Sequence, residues 1–562
     1  MHNFGDLANR QDGAAGPNPG NRMMTSRQMW LLVAIITVAG AILRFLGLDW
    51  QSLWLDEASS LRNAHAFGRE GIQGLAHVDQ IAPLHSVVLW LSTSLGGDTE
   101  FAIRLPSVIA GILSIPLTFI VAKRMFGSRS AALVSAALVA LSPFAIWFSQ
   151  EGRMYALLLL AGLAYIALVW PIVERPLKMS ELVLLTLCTT LGLGMHHYMA
   201  LLMLSFGLFL LIKDRTITKR AWAWGFTQIV ASLIFSYWML LTIHTLDNPA
   251  GNAKPGFLFW VPYAYYSFVA GFSFGPSTQE LASAGRNLVN IVLTHAIPVL
   301  LLAVATMTLI AFGVAKALRS RDKSAALWLA IWLVGPVLLS VIATFISNVQ
   351  FNVRYVIISF PPLMILLALG IATLPWSSLR RSRSDAQASL DPVKPGTASL
   401  AGMAATVVLT ACLSIATINL YTVPGYAKTD SRSLARFLRT MPPNALLATD
   451  NNRVIKMLKH YGGPLPELKL QVDYRTEDMS PERVVANMRR LPANAGDEIW
   501  LIEYRSWEAD PNHLLRAELD RDSKPLAVHT WPGVTVRRYR PTWIGGSAWR
   551  EARPSLVPVN QS

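Results

Sequence analysis

The chain has 562 residues, of which 53% are apolar and 15% charged, and it carries a formal net charge of +15. This composition, with a positive mean hydropathy, excludes an ordinary soluble domain and indicates a protein that crosses a membrane several times. The basic residues are divided among short loops, which is typical of the cytoplasmic loops of membrane proteins and argues against nucleic-acid binding.

The chain begins with a polar tail followed by a membrane helix. Residues 1–27 are rich in Gly, Asn and Pro and are predicted to form a disordered cytoplasmic tail. The apolar run from Met29 to Leu48 is about 20 residues long, which is enough to cross a hydrocarbon core of ~30 Å. No cleavage motif of the A-x-A type follows it, so we interpret this run as an uncleaved membrane span.

Further apolar stretches predict a membrane domain over residues 28–420 with about eleven transmembrane helices. The stretches lie at about 29–48, 105–123, 131–149, 155–173, 181–197, 199–212, 221–245, 291–315, 325–347, 355–376 and 400–420. Residues 377–399, which contain Ser, Arg, Asp, Pro and Gly, are predicted to be a cytoplasmic linker before the last span.

The basic residues orient these helices. With the N-terminus inside, basic clusters at 123–129, 213–220, 316–323 and 380–383 all fall in inner loops, while the short outer loops carry almost none. This alternation requires that Leu84–Leu95 does not cross the membrane. That segment is about a dozen residues long, which predicts an interfacial or re-entrant helix.

An odd number of crossings places residues 421–562 on the outer side, where apolar runs give way to charged residues. They are predicted to form a small α/β soluble domain, so the fold class is an α-helical polytopic membrane protein with a C-terminal soluble domain. Strands are predicted at Ala445–Thr449, Glu498–Glu503 and Val534–Tyr539, and helices at Arg453–Tyr461 and Pro481–Arg490.

The first outer loop, residues 49–104, carries the sequence Trp54-Leu55-Asp56-Glu57 directly after the first span. Asp56 could accept a proton from a hydroxyl nucleophile, or it could be an acid stabilised by the dipole at the start of a short helix. Spacing leaves both interpretations open. Glu57 would point elsewhere on a helix, and it is equally well interpreted as a site residue or as a solvated loop acid.

Two arginines stand where inward-running helices begin on the outer side. Arg153 lies in the tight loop Ser149–Tyr155, and Arg354 is followed by Tyr355 at the start of a later helix. Helix N-termini attract anions, and the guanidinium fork binds phosphate oxygens in pairs, so the two arginines are candidates for a phosphate clamp. The alternatives are a snorkelling or topology-setting role, and for Glu151 with Arg153 a local ion pair.

Aromatic and histidine residues share the same outer face. His196, His197 and Tyr198 could be metal ligands, acid/base groups or donors to a sugar, although a satisfied interfacial histidine explains them as well. The aromatic run from Phe257 to Tyr266 could stack on a sugar or line a lipid entrance, and an interfacial aromatic belt explains it equally.

Several of these motifs, taken together and in order, resemble the bacterial GT-C glycosyltransferases. The branch indicated contains protein O-mannosyltransferases, aminoarabinose-to-lipid-A transferases and rhizobial lipopolysaccharide galacturonosyltransferases. The resemblance is carried by Leu43-Arg44, Trp54-Leu55-Asp56-Glu57-Ala58, Ala82-Pro83-Leu84-His85, Arg104-Leu105-Pro106-Ser107 and Ser149-Gln150-Glu151-Gly152-Arg153-Met154-Tyr155. It is strong over about 30–210 and weakens to hydropathy and the Arg354-Tyr355 pair beyond that.

The resemblance implies a sugar donor linked to polyprenyl phosphate and used on the periplasmic or luminal side. It implies an essential acid, which falls on Asp56, and a second polar loop, which falls on Gln150–Tyr155. It also implies a first-loop segment lying in the interface. Gly152 stands where relatives often carry alanine, which is a minor departure. Residues 421–562 show no such resemblance, so the acceptor stays open.

These expectations combine into one hypothesis, an inverting glycosyl transfer at the outer face of a bacterial inner membrane to a hydroxyl of a lipid, glycan or protein. Asp56 and Glu57 are the candidate catalytic residues. Candidates for binding substrate or phosphate are Glu151, Arg153, Tyr155, His197, Tyr198, Arg354 and Tyr355. No cofactor is required, and a divalent metal at Glu57, Glu151 or the histidines stays open. The alternatives are a transporter or lipid flippase, which would place charges near the bilayer midplane, and an envelope scaffold.

Overall fold

The computed structural model describes most of the chain. The described residues are 25–78, 82–242, 257–283, 287–320, 323–346, 351–376, 397–442, 445–462, 468–491 and 498–541. Three segments lie outside the described residues: most of the predicted tail 1–27, nearly all of the predicted linker 377–399, and residues 243–256, which precede the aromatic run.

The described residues between 25 and 242 form ten α-helices. They are α1 Ser26–Phe45, α2 Leu55–Ala76, α3 Pro83–Gly96, α4 Glu100–Phe126, α5 Arg129–Leu141, α6 Pro143–Ser149, α7 Tyr155–Val169, α8 Met179–Met195, α9 Met199–Asp214 and α10 Lys219–Thr242. A 3-10 helix, Trp170–Val173, continues α7.

The remaining membrane-domain helices follow a region that lies outside the described residues. They are α11 Phe257–Ala270, α12 Thr278–Ser283, α13 Leu288–Thr294, α14 Ala296–Leu318, α15 Lys323–Ile346, α16 Phe360–Ala372 and α17 Thr397–Thr422. A 3-10 helix, Val353–Ser359, leads into α16 and carries Arg354.

Each of the eleven predicted stretches coincides with helix. By length and composition, eight helices of the described part of the chain are able to cross a membrane: α1, α4, α7 with its 3-10 extension, α10, α14, α15, α16 with the preceding 3-10 helix, and α17. The pair α5 and α6, bent by 56°, makes a ninth if it counts as one span. The count falls below eleven because α8 and α9 have only 17 and 16 residues.

The first outer loop is helical rather than irregular. Leu84–Leu95 lies within α3, whose 14 residues are too short to cross a bilayer, as the charge pattern requires. Before it, α2 has 22 residues with a break at Gly71, whose φ of 62° is in the left-handed region that glycine adopts readily. The loop therefore presents two helices at one end of the bundle.

The C-terminal region forms a five-stranded sheet with helices. Its elements are α18 Ser431–Leu438, β1 Leu446–Thr449, α19 Val454–Leu458, β2 Leu468–Gln471, α20 Pro481–Met488, β3 Ile499–Glu503, α21 Ser506–Ala509, α22 Leu514–Asp522, β4 Ala527–Trp531 and β5 Val534–Tyr539. The strand order is β2-β1-β3-β5-β4; β1 is parallel to β2 and β3, and β5 is antiparallel to β3 and β4. The three predicted strands are present. The two that sequence missed, β2 and β4, are the sheet edges.

The soluble region packs directly on the start of α2. Leu55 belongs to one buried apolar cluster with Leu434, Ile502 and Tyr504 of the soluble region. The backbone N–H of Leu53 donates to the Tyr461 hydroxyl at 2.6 Å. The helix that carries Asp56 is thus held between the membrane bundle and the sheet.

Candidate active site

The two acids of the Trp54-Leu55-Asp56-Glu57 motif occupy the first turn of α2. A carboxylate there is stabilised by the partial positive charge of the helix N-terminus, so the helix-start interpretation of Asp56 describes its position correctly. It does not exclude a chemical role. Because consecutive helical residues diverge by about 100°, the two side chains enter different surroundings.

Glu57 is fully buried, and both of its carboxylate oxygens accept hydrogen bonds. Arg104 on α4 binds both of its oxygens at 2.8 Å, and the backbone N–H of Gly152 donates to Oε1 at 2.8 Å. Burial raises the pKa of Glu57, but Arg104 and Lys428 outweigh it and lower the pKa to about 2. The side chain therefore ties α2 to α4 and to the second outer loop, which favours a positioning role over the predicted catalytic one.

Arg104 completes this arrangement from the other side. Its remaining N–H groups donate to the backbone oxygens of Leu48 at 2.7 Å, Gln51 at 2.8 Å and Ser52 at 3.1 Å. A buried ion pair is stable only when its other hydrogen-bonding groups are satisfied, as they are here. We refer below to Glu57, Arg104 and Gly152 as the Glu57 lock.

The structure gives a reason for the glycine at position 152, where relatives often carry alanine. A Cβ at this position would collide with the Ile103 side chain, and its N–H is needed by Glu57. The Ser107 hydroxyl also donates to the Arg153 carbonyl at 3.0 Å, which fixes the loop on α4. In this chain the glycine is therefore a packing requirement and more than a minor departure.

Asp56 is only partly enclosed and faces cations. It forms an ion pair with Arg354, and each of the two side chains is 21% exposed. Arg153 donates to the Asp56 carbonyl at 3.3 Å and to the Ser60 hydroxyl at 2.8 Å, one turn further along α2. Burial raises the pKa of Asp56, but Arg354 and Arg153 outweigh it and lower the pKa to about 2. Asp56 is a carboxylate at neutral pH.

Aromatic rings surround the Arg354 guanidinium. Its central carbon lies 6.0 Å from the ring centre of Trp54 and 5.5 Å from those of Tyr155 and Tyr355. Ring faces attract a cation without neutralising it, so they fix its position while leaving its charge available to an anion. Tyr155 and Tyr355, predicted as site residues, are brought to the site in this way.

Glu151 is buried in the same loop, and its Oε1 atom has no hydrogen-bond partner within the described part of the chain. Burial, together with the nearby Glu57 and Asp56 carboxylates, raises the pKa of Glu151 although Lys428 and Arg354 oppose the shift. A raised pKa favours the protonated acid, which can donate a hydrogen bond to an anion.

The histidine pair divides into two roles. His196 is buried, and its Nδ1 atom accepts the backbone N–H of Tyr198 at 3.0 Å. An accepting Nδ1 places the proton on Nε2, and burial lowers the pKa of His196 well below its ordinary value, so the ring is neutral. Of the residues predicted from sequence, His197 stacks on its ring with centroids 4.6 Å apart, and Tyr198 meets it edge to face at 5.1 Å.

Buried polar atoms without a partner converge around Asp56. Within the ranges that the structure describes, these atoms are Trp54 Nε1, Glu151 Oε1, Arg153 Nε, the Tyr155 hydroxyl, His196 Nε2 and Arg354 Nε. Unsatisfied buried groups are rare in native proteins, and their presence in one place is typical of a ligand site. Most of them are N–H or O–H donors, so the expected ligand is rich in acceptor oxygens.

The described residues contain no group of three or more His, Cys, Asp or Glu side chains that could hold a metal ion. Of the acids considered for a metal, Glu57 is already bound by Arg104.

Sequence reasoning missed two cations that the soluble region supplies. Lys428, just after α17, donates to the Gln150 carbonyl at 3.0 Å and lies 3.7 Å from Glu57 Oε1. Arg505, at the end of β3, lies within electrostatic reach of Asp56 and helps lower its pKa. No local pattern marks either residue, because only the docking of the two regions brings them to Asp56.

The fold agrees with solved membrane transferases. ArnT from Cupriavidus metallidurans in the apo state matches with a TM-score of 0.54 at 14% identity, over 93% of this chain and 100% of that one. The same protein bound to undecaprenyl phosphate gives a TM-score of 0.53 at 15% identity with the same coverage. The archaeal oligosaccharyltransferase AglB from Archaeoglobus fulgidus, in complex with an inhibitory peptide and a dolichol-phosphate, gives 0.50 at 11% identity, over 92% and 74%.

Residues 80–240 also match the protein family described as dolichyl-phosphate-mannose-protein mannosyltransferase. A comparison with curated protein sequences finds no match. The structural likeness confirms the predicted fold, a helical membrane domain with a small C-terminal soluble region, and the family match over residues 80–240 supports the predicted glycosyltransferase activity. Asp56 and Arg354 lie outside the matched residues, so their roles depend on the geometry alone.

Proposed function

We propose that this chain transfers a sugar from a polyprenyl-phosphate-linked donor to the hydroxyl group of an acceptor, at the outer face of a bacterial cytoplasmic membrane. The observation that carries the proposal is the convergence of unpaired buried donors on Asp56 at the starts of two apolar helices. A lipid phosphate fits this place because its tail can lie beside the helices while its oxygens meet the guanidinium groups.

Arg153 and Arg354 bind the donor phosphate. Negative charge grows on the phosphate as the bond to the sugar breaks, so fixed cations stabilise the transition state more than the ground state. His196 through its Nε2–H group, and Glu151 when it is protonated, donate hydrogen bonds to the same anion. They add no charge that would oppose its binding.

Asp56 is the base. The acceptor oxygen attacks the anomeric carbon from the side opposite the phosphate, the bond from that carbon to the phosphate oxygen breaks, and Asp56 takes the acceptor proton. The products are a glycoside of inverted configuration and polyprenyl phosphate. Asp56 paired with Arg354 is a weak base. A donor phosphate that draws Arg354 away would raise the pKa of Asp56 when the base is needed.

The test compares Asp56→Asn with Asp49→Asn, which makes the same chemical change at an exposed position of the same outer loop. Each is expressed in a deletion strain, and envelope glycans and lipids are compared by mass spectrometry. We expect the sugar missing from the deletion strain to return with the wild-type chain and with Asp49→Asn but not with Asp56→Asn. Restoration by Asp56→Asn at matched protein levels would remove the base assignment, and an envelope unchanged by the deletion would remove the activity.

A further inference from the structure

The soluble region turns the carboxyl edge of its parallel strands towards Asp56. Strands β2, β1 and β3 run parallel, so their carboxyl ends meet at one edge of the sheet. Tyr504, which directly follows β3, packs with Leu55 in one buried cluster, and Arg505 comes next in the chain. Ligands of parallel α/β sheets bind outside the carboxyl ends of the strands. The packing thus places a typical ligand-binding edge beside the candidate base.

This edge is built as a fixed structure. Asp450, directly after β1, is 2% exposed; it accepts the backbone N–H of Tyr504 at 2.8 Å and the Ser506 hydroxyl. Asn451 is 1% exposed, and its Nδ2 atom has no hydrogen-bond partner in the described part of the chain. The edge thus holds an unsatisfied buried donor of its own, apart from those around the proposed donor phosphate.

Cations dominate the exposed side of the edge. Arg453 and Arg505 share a single carboxylate, Glu508, at 2.7 and 2.6 Å, and their side chains are 23% and 27% exposed. Burial, together with Arg62, Arg475 and Arg453, lowers the pKa of the Lys456 ammonium. Arg62 lies on α2, Arg453 and Lys456 lie at the start of α19, which follows β1, and Arg505 follows β3. We call these four cations the basic edge; Asp473 is the acid that faces Lys456.

We infer that the basic edge is the acceptor subsite and that it selects an acceptor carrying a phosphate or carboxylate group. This inference rests on the proposed function. The donor phosphate is assigned to Arg153 and Arg354 at the starts of membrane helices, and Arg505 approaches Asp56 from the soluble region. A general base must lie within hydrogen-bond reach of the acceptor hydroxyl, so the acceptor hydroxyl reaches Asp56 and the rest of the acceptor lies along the basic edge. Guanidinium groups that share one carboxylate retain donors for an anion.

The experiment measures binding without turnover. The full chain in nanodiscs is saturated with undecaprenyl phosphate and then titrated with glucosamine 1-phosphate or with uncharged methyl glucosaminide. We expect the wild type to bind the phosphate ester at least about tenfold more tightly than the uncharged one. Arg505→Ala and Lys456→Ala should each weaken binding of the phosphate ester about tenfold or more. Arg540→Ala, which removes an exposed cation paired with Glu498, is the matched control and should bind like the wild type.

Equal binding of the two esters by the wild type, or unchanged affinity in both Arg505→Ala and Lys456→Ala, would overturn the inference. Asp56→Asn should still bind the phosphate ester, so loss of transfer and loss of the subsite are separate results. Repeating the titration in phosphatidylglycerol and in phosphatidylcholine nanodiscs identifies the source of the anion. If phosphatidylglycerol competes with the phosphate ester, the natural anion is a lipid headgroup. If it does not compete, the natural anion belongs to a soluble glycan.

Discussion

Glu57 and Asp56 are neighbours in the sequence, but their side chains lie in very different surroundings. Both carboxylates start the same helix turn, both face arginines, and the pKa of each is lowered to about 2. Glu57 is fully buried, with both oxygens bound by Arg104. Asp56 is 21% exposed, and the guanidinium groups that face it keep unpaired nitrogens.

A shifted pKa does not by itself distinguish a reactive acid from a structural one. The two are distinguished by whether the arginines that face the acid have N–H donors left unpaired. Every side-chain N–H group of Arg104 donates to Glu57 or to the backbone oxygens of Leu48, Gln51 and Ser52, so this pair has no donor left to bind a substrate. The cations at Asp56 have spare donors, and this pair can open when an anion arrives.

The largest effect is expected in the lock. Glu57→Gln leaves the Arg104 charge buried without its counter-ion, and breaking a buried pair in this way costs about 3–5 kcal/mol. We expect a lower midpoint of thermal unfolding in detergent and a smaller yield of folded protein. The control is Glu181→Gln, which breaks the solvent-screened pair with Arg175 and should change the stability little. Equal stability of the two variants would contradict the assignment of Glu57 as a lock.

Arg354→Gln should reduce turnover and leave the fold intact. A fixed donor that stabilises developing charge contributes about 10²–10³-fold in kcat, or roughly 2.7–4 kcal/mol. Initial rates of transfer from the polyprenyl-linked donor measure the effect, with Arg319→Gln, directly after the end of α14, as the control. A variant that raises KM but keeps kcat would show that Arg354 only holds the donor and does not stabilise its transition state.

The sequence predicted the outline of the molecule better than its site. Apolar length and basic loops located the helices, because both signals are local. The candidate clamp of Arg153 and Arg354 was predicted from equally local signals, because each residue lies at the start of an apolar helix, and its role in binding phosphate stays a prediction. The functions of Glu57 and His196 were not found. Whether Glu57 is free or occupied depends on Arg104, 47 positions away, and the tautomer of His196 depends on one backbone contact.

The pH dependence of stability separates the two acids further. A lowered folded-state pKa means that Glu57 stabilises the fold above its ordinary value of 4.5, and that this contribution is lost as the pH falls towards 2. The shift corresponds to about 3 kcal/mol. Thermal unfolding between pH 6 and 3 should show this loss in the wild type and in Asp49→Asn, and much less of it in Glu57→Gln.

Asp56→Asn should flatten that profile less than Glu57→Gln, because its partly exposed pair with Arg354 is screened by solvent. An acid-stability profile that Glu57→Gln leaves unchanged would place the titrating group elsewhere and would weaken the contrast between the two carboxylates.

The smallest effect is expected at Glu151, whose raised pKa favours the neutral acid. Glutamine has nearly the same shape and keeps an N–H donor, so Glu151→Gln should change the KM for the donor by less than about threefold. Glu151→Ala removes the donor and should weaken binding by about 0.5–1.5 kcal/mol, the usual net value of one hydrogen bond. The KM values of the two variants, measured with the same sugar donor, show whether Glu151 acts as the protonated acid or as the carboxylate. A loss of affinity in Glu151→Gln as large as that in Glu151→Ala would mean that Glu151 acts as a carboxylate. The site would then contain two ionised acids, Asp56 and Glu151, facing the same arginines.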